Sequence, residues 1–308
     1  YQKGEYKILK IDKPEDIVKF QELNDLHCWC IHDLYQANRY KTSWFLYRRN
    51  SIVGVYTIGE KILRDRNDKP MKDLELVRVF VDFLKQEGRE DEANKLILTI
   101  PMTKEEIDEI IDKGKNLNIL YANQKLTPEQ IDRAIDKGIA LDVLYEKQKH
   151  MSPENIDHAI DKGEYLDVLY RNQKNLSPEQ IDKAIDKGIA LNFLYLDQKN
   201  LTPENIDHAI EKGIDLSSLY LHYKTLTPEQ IDKAIDKGID LDILYRYQKN
   251  LTSKQIDKAM DKGEDLDSLY ANQTLTPKQI DKAIDKGKYL YILYYYQHHK
   301  LTPEQIDK

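Results

Sequence analysis

Residues Leu226–Asn250, LTPEQIDKAIDKGIDLDILYRYQKN, are one copy of a sequence repeat that recurs along most of the chain. Aligned on its glycine, the repeat occurs in eight full copies at a spacing of 24 or 25 residues, and a partial ninth begins at Leu301. A regular period in this range is typical of a solenoid or another repeat array. The aligned glycines are Gly114, Gly138, Gly163, Gly188, Gly213, Gly238, Gly263 and Gly287.

Each copy has the signals of two short helices. In the copy from Leu126 to His150, Thr127 suits the N-cap, Pro128 the first helical position, and Gln130 completes a capping box. Gly138 can adopt the left-handed conformation that ends this helix. Apolar residues then recur at i, i+3 and i+4, which predicts a second helix returning antiparallel to the first.

Stacking is what makes such a unit fold. Helices of about ten residues are marginal on their own in water, so each hairpin needs a neighbour on both faces. We therefore predict a mainly α fold, an α-solenoid of 24–26-residue two-helix repeats preceded by a small α+β domain. The predicted domains are 1–71, a small α+β domain; 72–101, a helical capping hairpin; and 102–308, eight full repeats and the partial ninth.

The first domain has the pattern of strands and one helix. The stretch 5–11 predicts a strand, 13–24 a helix that opens at Pro14, and 43–59 two strands with a turn near Asn50 and Ser51. The stretch 65–70, DRNDKP, resembles a calcium loop but lacks its glycine and its terminal glutamate, so we interpret it as a turn.

Two positions are constant from copy to copy. A tyrosine follows the second helix's Leu-x-x-Leu, and we expect a ladder of core tyrosines, each hydroxyl reaching a polar partner, rather than a ligand cage. A glutamine three residues later, replaced by Tyr223 in the fifth copy, is expected to bond backbone groups between repeats. The tyrosines are Tyr121, Tyr145, Tyr170, Tyr195, Tyr220, Tyr245, Tyr270 and Tyr294.

Acidic residues recur in rows along the first helices. Carboxylates one repeat apart lie roughly 10 Å from each other, which is too far to share one cation. We therefore expect a solvated face or ion pairs between repeats, and we predict no metal and no cofactor in the array. The repeats also contain no Ser-His-Asp, Cys-His or phosphate-loop signature, so they offer no catalytic residues.

Variation between copies is concentrated on the second helix. Exposed aromatic side chains are enriched where proteins bind proteins. The last full copy is the most aromatic, and its tyrosines could equally dock against a further repeat. We predict these partner-binding residues: Val143, Tyr165, Phe193, Leu196, Tyr247, Tyr289, Tyr291, Tyr295 and Tyr296.

Outside the repeats, residue types that can bind metals or act as nucleophiles are most concentrated in the cluster His27, Cys28, Trp29, Cys30 and His32. Zinc motifs usually separate their cysteines by two to four residues and add a distant pair, and catalytic Cys-His pairs usually come together from distant positions. We therefore favour buried cysteine and tryptophan in a small core over a metal site or a nucleophile.

Composition excludes some classes of function. The formal net charge of -7 with interspersed signs argues against a nucleic-acid partner. No apolar stretch is long enough for a membrane span, and two cysteines fit a reducing compartment, so we expect a soluble, cytoplasmic protein. The chain starts at Tyr1 and stops partway through a copy, so we interpret it as a fragment or a processed chain.

Two features resemble known sequences. The Trp29-Cys30 pair, with Tyr40, the strand WFLYRR at 44–49 and the turn DRNDKPM, is similar to a small domain in uncharacterised proteins of large AT-rich bacteriophages. The helix openings LTPEQIDKAI likewise resemble repeat arrays of such proteins. The resemblance implies a phage or prophage origin, hence a bacterial host cell, and brings no activity, cofactor or site residue.

We expect a non-enzymatic protein-binding scaffold. Two alternatives stay open: an N-terminal Cys/His enzyme or toxin whose target the solenoid recruits, and a structural component of a phage particle. Self-association through the C-terminal repeat edge also stays open.

Overall fold

The computed structural model describes residues 1–23, 43–49, 51–57, 62–65, 67, 69–223, 225–249 and 251–306. Contacts group the chain into two compact units, Tyr1–Lys147 and Gln148–Lys308. Among the described residues, the first unit contains a sheet, three helices outside the repeats, and repeats 1 and 2; the second contains repeats 3 to 8 and the start of the ninth. The boundaries at 71 and 101 stay a prediction.

An antiparallel sheet opens the first unit, and its five described strands lie in chain order. The strand predicted for 5–11, the helix for 13–24 and the two strands for 43–59 are confirmed within the described residues, while 24, 50, 58 and 59 lie outside them. In the predicted turn, the Asp65 carboxylate accepts hydrogen bonds from the backbone N–H of Asn67 and Lys69. The elements are β1 Gln2–Lys3, β2 Tyr6–Ile11, α1 Pro14–Leu23, β3 Ser43–Arg48, β4 Ser51–Thr57 and β5 Ile62–Asp65.

Helices α2 (Leu74–Gln86) and α3 (Glu90–Ile97) pack on this sheet and share one hydrophobic core with it. Gly88 lies between these two helices and has a left-handed φ of 70°. Stacked and tilted rings fill the centre of the core. They belong to Trp44, Tyr56, Phe80 and Phe83.

A polar network crosses the edge of the same core. The Tyr56 hydroxyl donates a hydrogen bond of 2.6 Å to the Glu92 carboxylate. Arg89 forms an ion pair with Glu92 and places its guanidinium 4.4 Å from the centre of the Trp44 ring. Burial and the Glu92 carboxylate both raise the pKa of Tyr56, so the phenol stays a hydrogen-bond donor.

The repeats are eight successive helix pairs, which confirms the predicted helical solenoid after an α+β domain. All eight first helices begin with a capping box, and each glycine that follows them is left-handed. The first helices are Lys104–Lys113, Pro128–Lys137, Pro153–Lys162, Pro178–Lys187, Pro203–Lys212, Pro228–Lys237, Ser253–Lys262 and Pro277–Lys286. The second helices are Leu117–Asn123, Leu141–Lys147, Leu166–Asn172, Leu191–Asp197, Leu216–His222, Leu241–Tyr247, Leu266–Asn272 and Leu290–Gln297.

The second helices are shorter than the ten residues expected, with seven residues in repeats 1 to 7. The residue before each of them is also left-handed, with φ between 48° and 56°, which the sequence pattern did not predict. Asparagine and aspartate tolerate this conformation, whereas alanine and tyrosine store strain there. The residues are Asn116, Ala140, Tyr165, Ala190, Asp215, Asp240, Asp265 and Tyr289.

Ala190→Gly should raise the free energy of unfolding by about 0.5–1 kcal/mol. Left-handed backbone costs an L-residue about 1–2 kcal/mol, more than the extra chain entropy of glycine. The matched control is Ala184→Gly in the helical part of the same repeat, where Ala184 is fully buried. There the same change should lower stability by at least about 1 kcal/mol. Urea unfolding followed by circular dichroism measures the free energy of unfolding of both variants. If both variants lose a similar amount of stability, the backbone at Ala190 is not strained.

Candidate functional site

The first helices are joined from repeat to repeat by their third residue. In repeat 6 the Gln230 side-chain oxygen accepts from the Thr227 N–H at 3.0 Å, while its amide nitrogen donates to the Pro203 carbonyl of repeat 5 at 3.0 Å. Asn205 and Gln255 make the same two kinds of contact in repeats 5 and 7. The capping box is therefore also an inter-repeat clamp, a role the sequence analysis missed.

The glutamine after the second helix forms a second ladder, as predicted. The Gln198 amide donates to the carbonyls of Tyr170 and Gln173 at 2.9 and 2.8 Å, and its oxygen accepts from the Leu176 N–H at 3.2 Å. In repeat 5, Tyr223 stands at this position and its hydroxyl donates to the Gln198 carbonyl at 2.5 Å. The substitution thus keeps the donor that this position requires.

The tyrosines form the expected core ladder, but the prediction that each hydroxyl reaches a polar partner is wrong. The rings are buried in repeats 1 to 7, as expected, whereas Tyr294 in repeat 8 is half-buried. The hydroxyls expected to reach polar partners have no hydrogen-bond partner among the described residues in five repeats. Burial accordingly raises the pKa of these phenols, that of Tyr270 to about 12. The five are Tyr170, Tyr195, Tyr220, Tyr245 and Tyr270.

Charged side chains on the first helices are paired across repeats, which confirms one of the two expected arrangements. Lys233 of repeat 6 contacts Asp207 of repeat 5 at 2.8 Å. Lys212, helped by His208, holds the pKa of Asp186 below its usual range. Several charged side chains of the first helices are therefore engaged in contacts within the protein. Lysines at the same helix position as Lys233 also pair with the ninth residue of the preceding first helix, in Lys183–Asp161, Lys258–Asp236 and Lys282–Asp261.

The outer face of the second helices is different, because it carries exposed apolar side chains. Most of the predicted partner-binding residues are exposed, and Tyr291 is 75% exposed. Val143, Phe193 and Tyr247 are half-buried. Leu196, Tyr291, Tyr295 and Tyr296 are exposed on second helices, and Tyr165 and Tyr289, each the residue just before a second helix, are exposed as well.

The structure brings some of these residues together. The Tyr295 ring lies 4.9 Å from that of Tyr296 and 6.4 Å from that of Tyr291, between ring centres. The half-buried Phe193 has the Arg171 guanidinium of the preceding repeat 4.0 Å from its ring centre. Sequence reasoning missed Arg171, and also Leu221, which is 37% exposed. Comparing one helix position across all copies could have found both.

Other candidates can be placed only in part. The predicted cluster of His27, Cys28, Cys30 and His32 lies outside the described residues. Elsewhere, in the part of the chain that the structure describes, no group of three or more His, Cys, Asp or Glu side chains could hold a metal ion. None of the described helices combines the length and apolar character that crossing a bilayer requires.

Comparison with known proteins gave no match to the chain among protein-family models, curated proteins or solved structures.

Proposed function

We propose that the protein is a non-enzymatic binding scaffold whose second helices present their outer face to a protein partner. The observation that carries the proposal is the contrast between the two helix faces. Charges on the first helices pair across repeats, for example Lys233 with Asp207, whereas the second helices expose Leu196, Leu221 and Tyr291. Exposed aromatic and aliphatic side chains on a rigid frame are what protein interfaces use as anchors.

The repeat frame supports this function because it holds the second helices in place while leaving the residue types at their outer positions free to vary. The ladder glutamines and clamp residues hold each repeat on the one before it, and none of these bonds uses the outer positions of the second helix. Those positions differ from copy to copy, as in Asp142 and Val143 against Asn192 and Phe193. The proposed compartment is the cytoplasm, that of a bacterial host cell if a phage encodes the chain, since only two cysteines fit a reducing setting.

The triple variant Phe193→Ala, Tyr247→Ala, Tyr291→Ala tests the proposal. A partner is first captured from a bacterial lysate on the immobilised 308-residue chain, identified by mass spectrometry and purified. Calorimetric titration should then show an affinity at least about tenfold weaker for the triple variant, because aromatic anchors often contribute more than 1.4 kcal/mol each.

The control variant, Lys254→Ala with Lys278→Ala, changes two exposed residues of the first helices. It should bind like the native chain, and circular dichroism should be the same for all three proteins. If the purified partner binds the triple variant with native affinity, the second-helix face is not the binding surface.

A further inference from the structure

Four residues occupy one equivalent position in repeats 3 to 6 and follow one another at intervals of 25: Arg171, Leu196, Leu221 and Arg246. Each is the sixth residue of its seven-residue second helix. Second helices of successive repeats pack against one another throughout this part of the second unit. The four side chains therefore form one row across neighbouring helices, which we call the sixth-position row.

The centre of the row is apolar and open to solvent. Leu196 is 50% exposed and Leu221 37% exposed, although their neighbours at the fourth position, Leu194 and Leu219, are fully buried. Covering the two exposed leucines would remove apolar surface from water, which favours binding. Each is flanked by an arginine at one repeat's distance, so the apolar pair has a cation at either end.

Both arginines are exposed and, within the described part of the chain, neither has a carboxylate at ion-pair distance. That sets them apart from Lys183, Lys233 and Lys258, which pair across repeats. The Arg171 guanidinium lies over the Phe193 ring, 4.0 Å from its centre. A guanidinium placed in this way can still receive a carboxylate at its N–H edge.

We propose that the sixth-position row binds an extended acidic–apolar peptide segment of a partner protein, with a carboxylate, two apolar residues and a second carboxylate at every third position. This inference rests on the proposed function and names the chemistry of the partner. Carboxylates at the ends of the segment meet Arg171 and Arg246, and its apolar residues cover Leu196 and Leu221.

The spacing of the row selects the conformation of the segment. Packed helices lie about 8–10 Å apart. A polyproline II helix advances about 9.3 Å in each three-residue turn and returns every third side chain to the same face. An α-helical ligand places same-face residues about 5–6 Å apart, and a strand places them about 6.6 Å apart, so neither matches the row.

The probe is the end-blocked peptide Glu-Pro-Pro-Leu-Pro-Pro-Leu-Pro-Pro-Glu carrying a fluorophore, titrated at low salt with the 308-residue chain by fluorescence polarisation. We expect saturable binding that weakens as salt screens the exposed charges. Arg171→Glu with Arg246→Glu should weaken it about tenfold or more, and so should Leu196→Ser with Leu221→Ser. On the doubly charge-reversed variant, a peptide with lysine at both ends should bind better than the acidic peptide.

Two controls isolate the row. Lys254→Glu with Lys278→Glu makes the same change in net charge on the first helices and should leave binding unchanged; it also places glutamate in the first helical turn, as in other repeats. A peptide with one proline removed between its leucines breaks the register and should bind about tenfold more weakly than the probe.

Absence of saturable binding overturns the inference, as does native affinity in the charge-reversed variant or equal binding of the register-broken peptide. The proposed function has a separate outcome. A partner could bind the Phe193, Tyr247, Tyr291 variant more weakly and yet bind the sixth-position variants with native affinity. That result would support the scaffold function and refute only the acidic–apolar peptide as its ligand.

Discussion

Gln198→Leu is expected to lower the free energy of unfolding by about 3–6 kcal/mol. The leucine is of similar size, but three buried backbone groups lose their partners: the carbonyls of Tyr170 and Gln173 and the N–H of Leu176. Each buried polar group left unpaired costs about 1–3 kcal/mol. Urea unfolding should show the loss, and hydrogen exchange should locate it in repeats 3 and 4.

The chain contains its own control for this prediction. At the equivalent position of repeat 5, Tyr223 donates one hydrogen bond to the Gln198 carbonyl. Tyr223→Gln should restore the ladder residue of the other repeats and change stability by less than about 1 kcal/mol. If Gln198→Leu proves as mild as Tyr223→Gln, packing rather than hydrogen bonding holds the second helices together.

Glu92→Ala is expected to destabilise the first unit by about 2–4 kcal/mol. The change leaves the Arg89 guanidinium without its ion-pair partner at a site where that side chain is only 21% exposed, and it removes the acceptor of the buried Tyr56 hydroxyl. Breaking a mostly buried pair by removing one partner is costly because the remaining charge is uncompensated. Thermal unfolding followed by the fluorescence of Trp44, beside Arg89, should report the loss.

Glu90→Ala, two residues earlier on the same helix and exposed to solvent, is the matched control. It removes the same carboxylate from the same helical turn and should stay within about 0.5 kcal/mol of the native protein. A similar loss in both variants would indicate that helix-end electrostatics, and not the network with Tyr56, stabilises α3.

The period of the sequence was enough to predict the helix pairs, because each copy carries its own start and stop signals. Thr227 and Gly238 lie at the two ends of a helix, as their chemistry indicates. The inter-repeat contacts needed the structure, since a capping box looks complete within one copy. That Gln230 also donates to the Pro203 carbonyl depends on how two copies stack. The left-handed Ala190 has no local signal, because alanine does not favour that conformation.

The tyrosine hydroxyls show where a general rule failed. A buried phenol usually finds a partner, but Tyr220 is fixed by the packing of its ring, and its hydroxyl has no hydrogen-bond partner among the described residues. On the candidate surface, Leu196 was predicted from the variation of its copy, whereas Leu221 and the two arginines of the sixth-position row were not. These three residues stand out only when the same helix position is compared from one repeat to the next, and a single copy does not show that pattern.

The direction of the hydrogen bonds between repeats has a genetic consequence. Repeats 4 to 8 each donate through their clamp and ladder residues to the repeat behind, and a ladder residue also accepts from the repeat ahead, as Gln198 does in donating to Gln173 and accepting from Tyr223. Excising or duplicating a whole 25-residue unit by unequal recombination therefore leaves no orphaned partner at the new junction. We therefore expect the array to gain or lose whole repeats without losing clamp or ladder bonds at the new junction, and each added copy to bring its own set of outer positions.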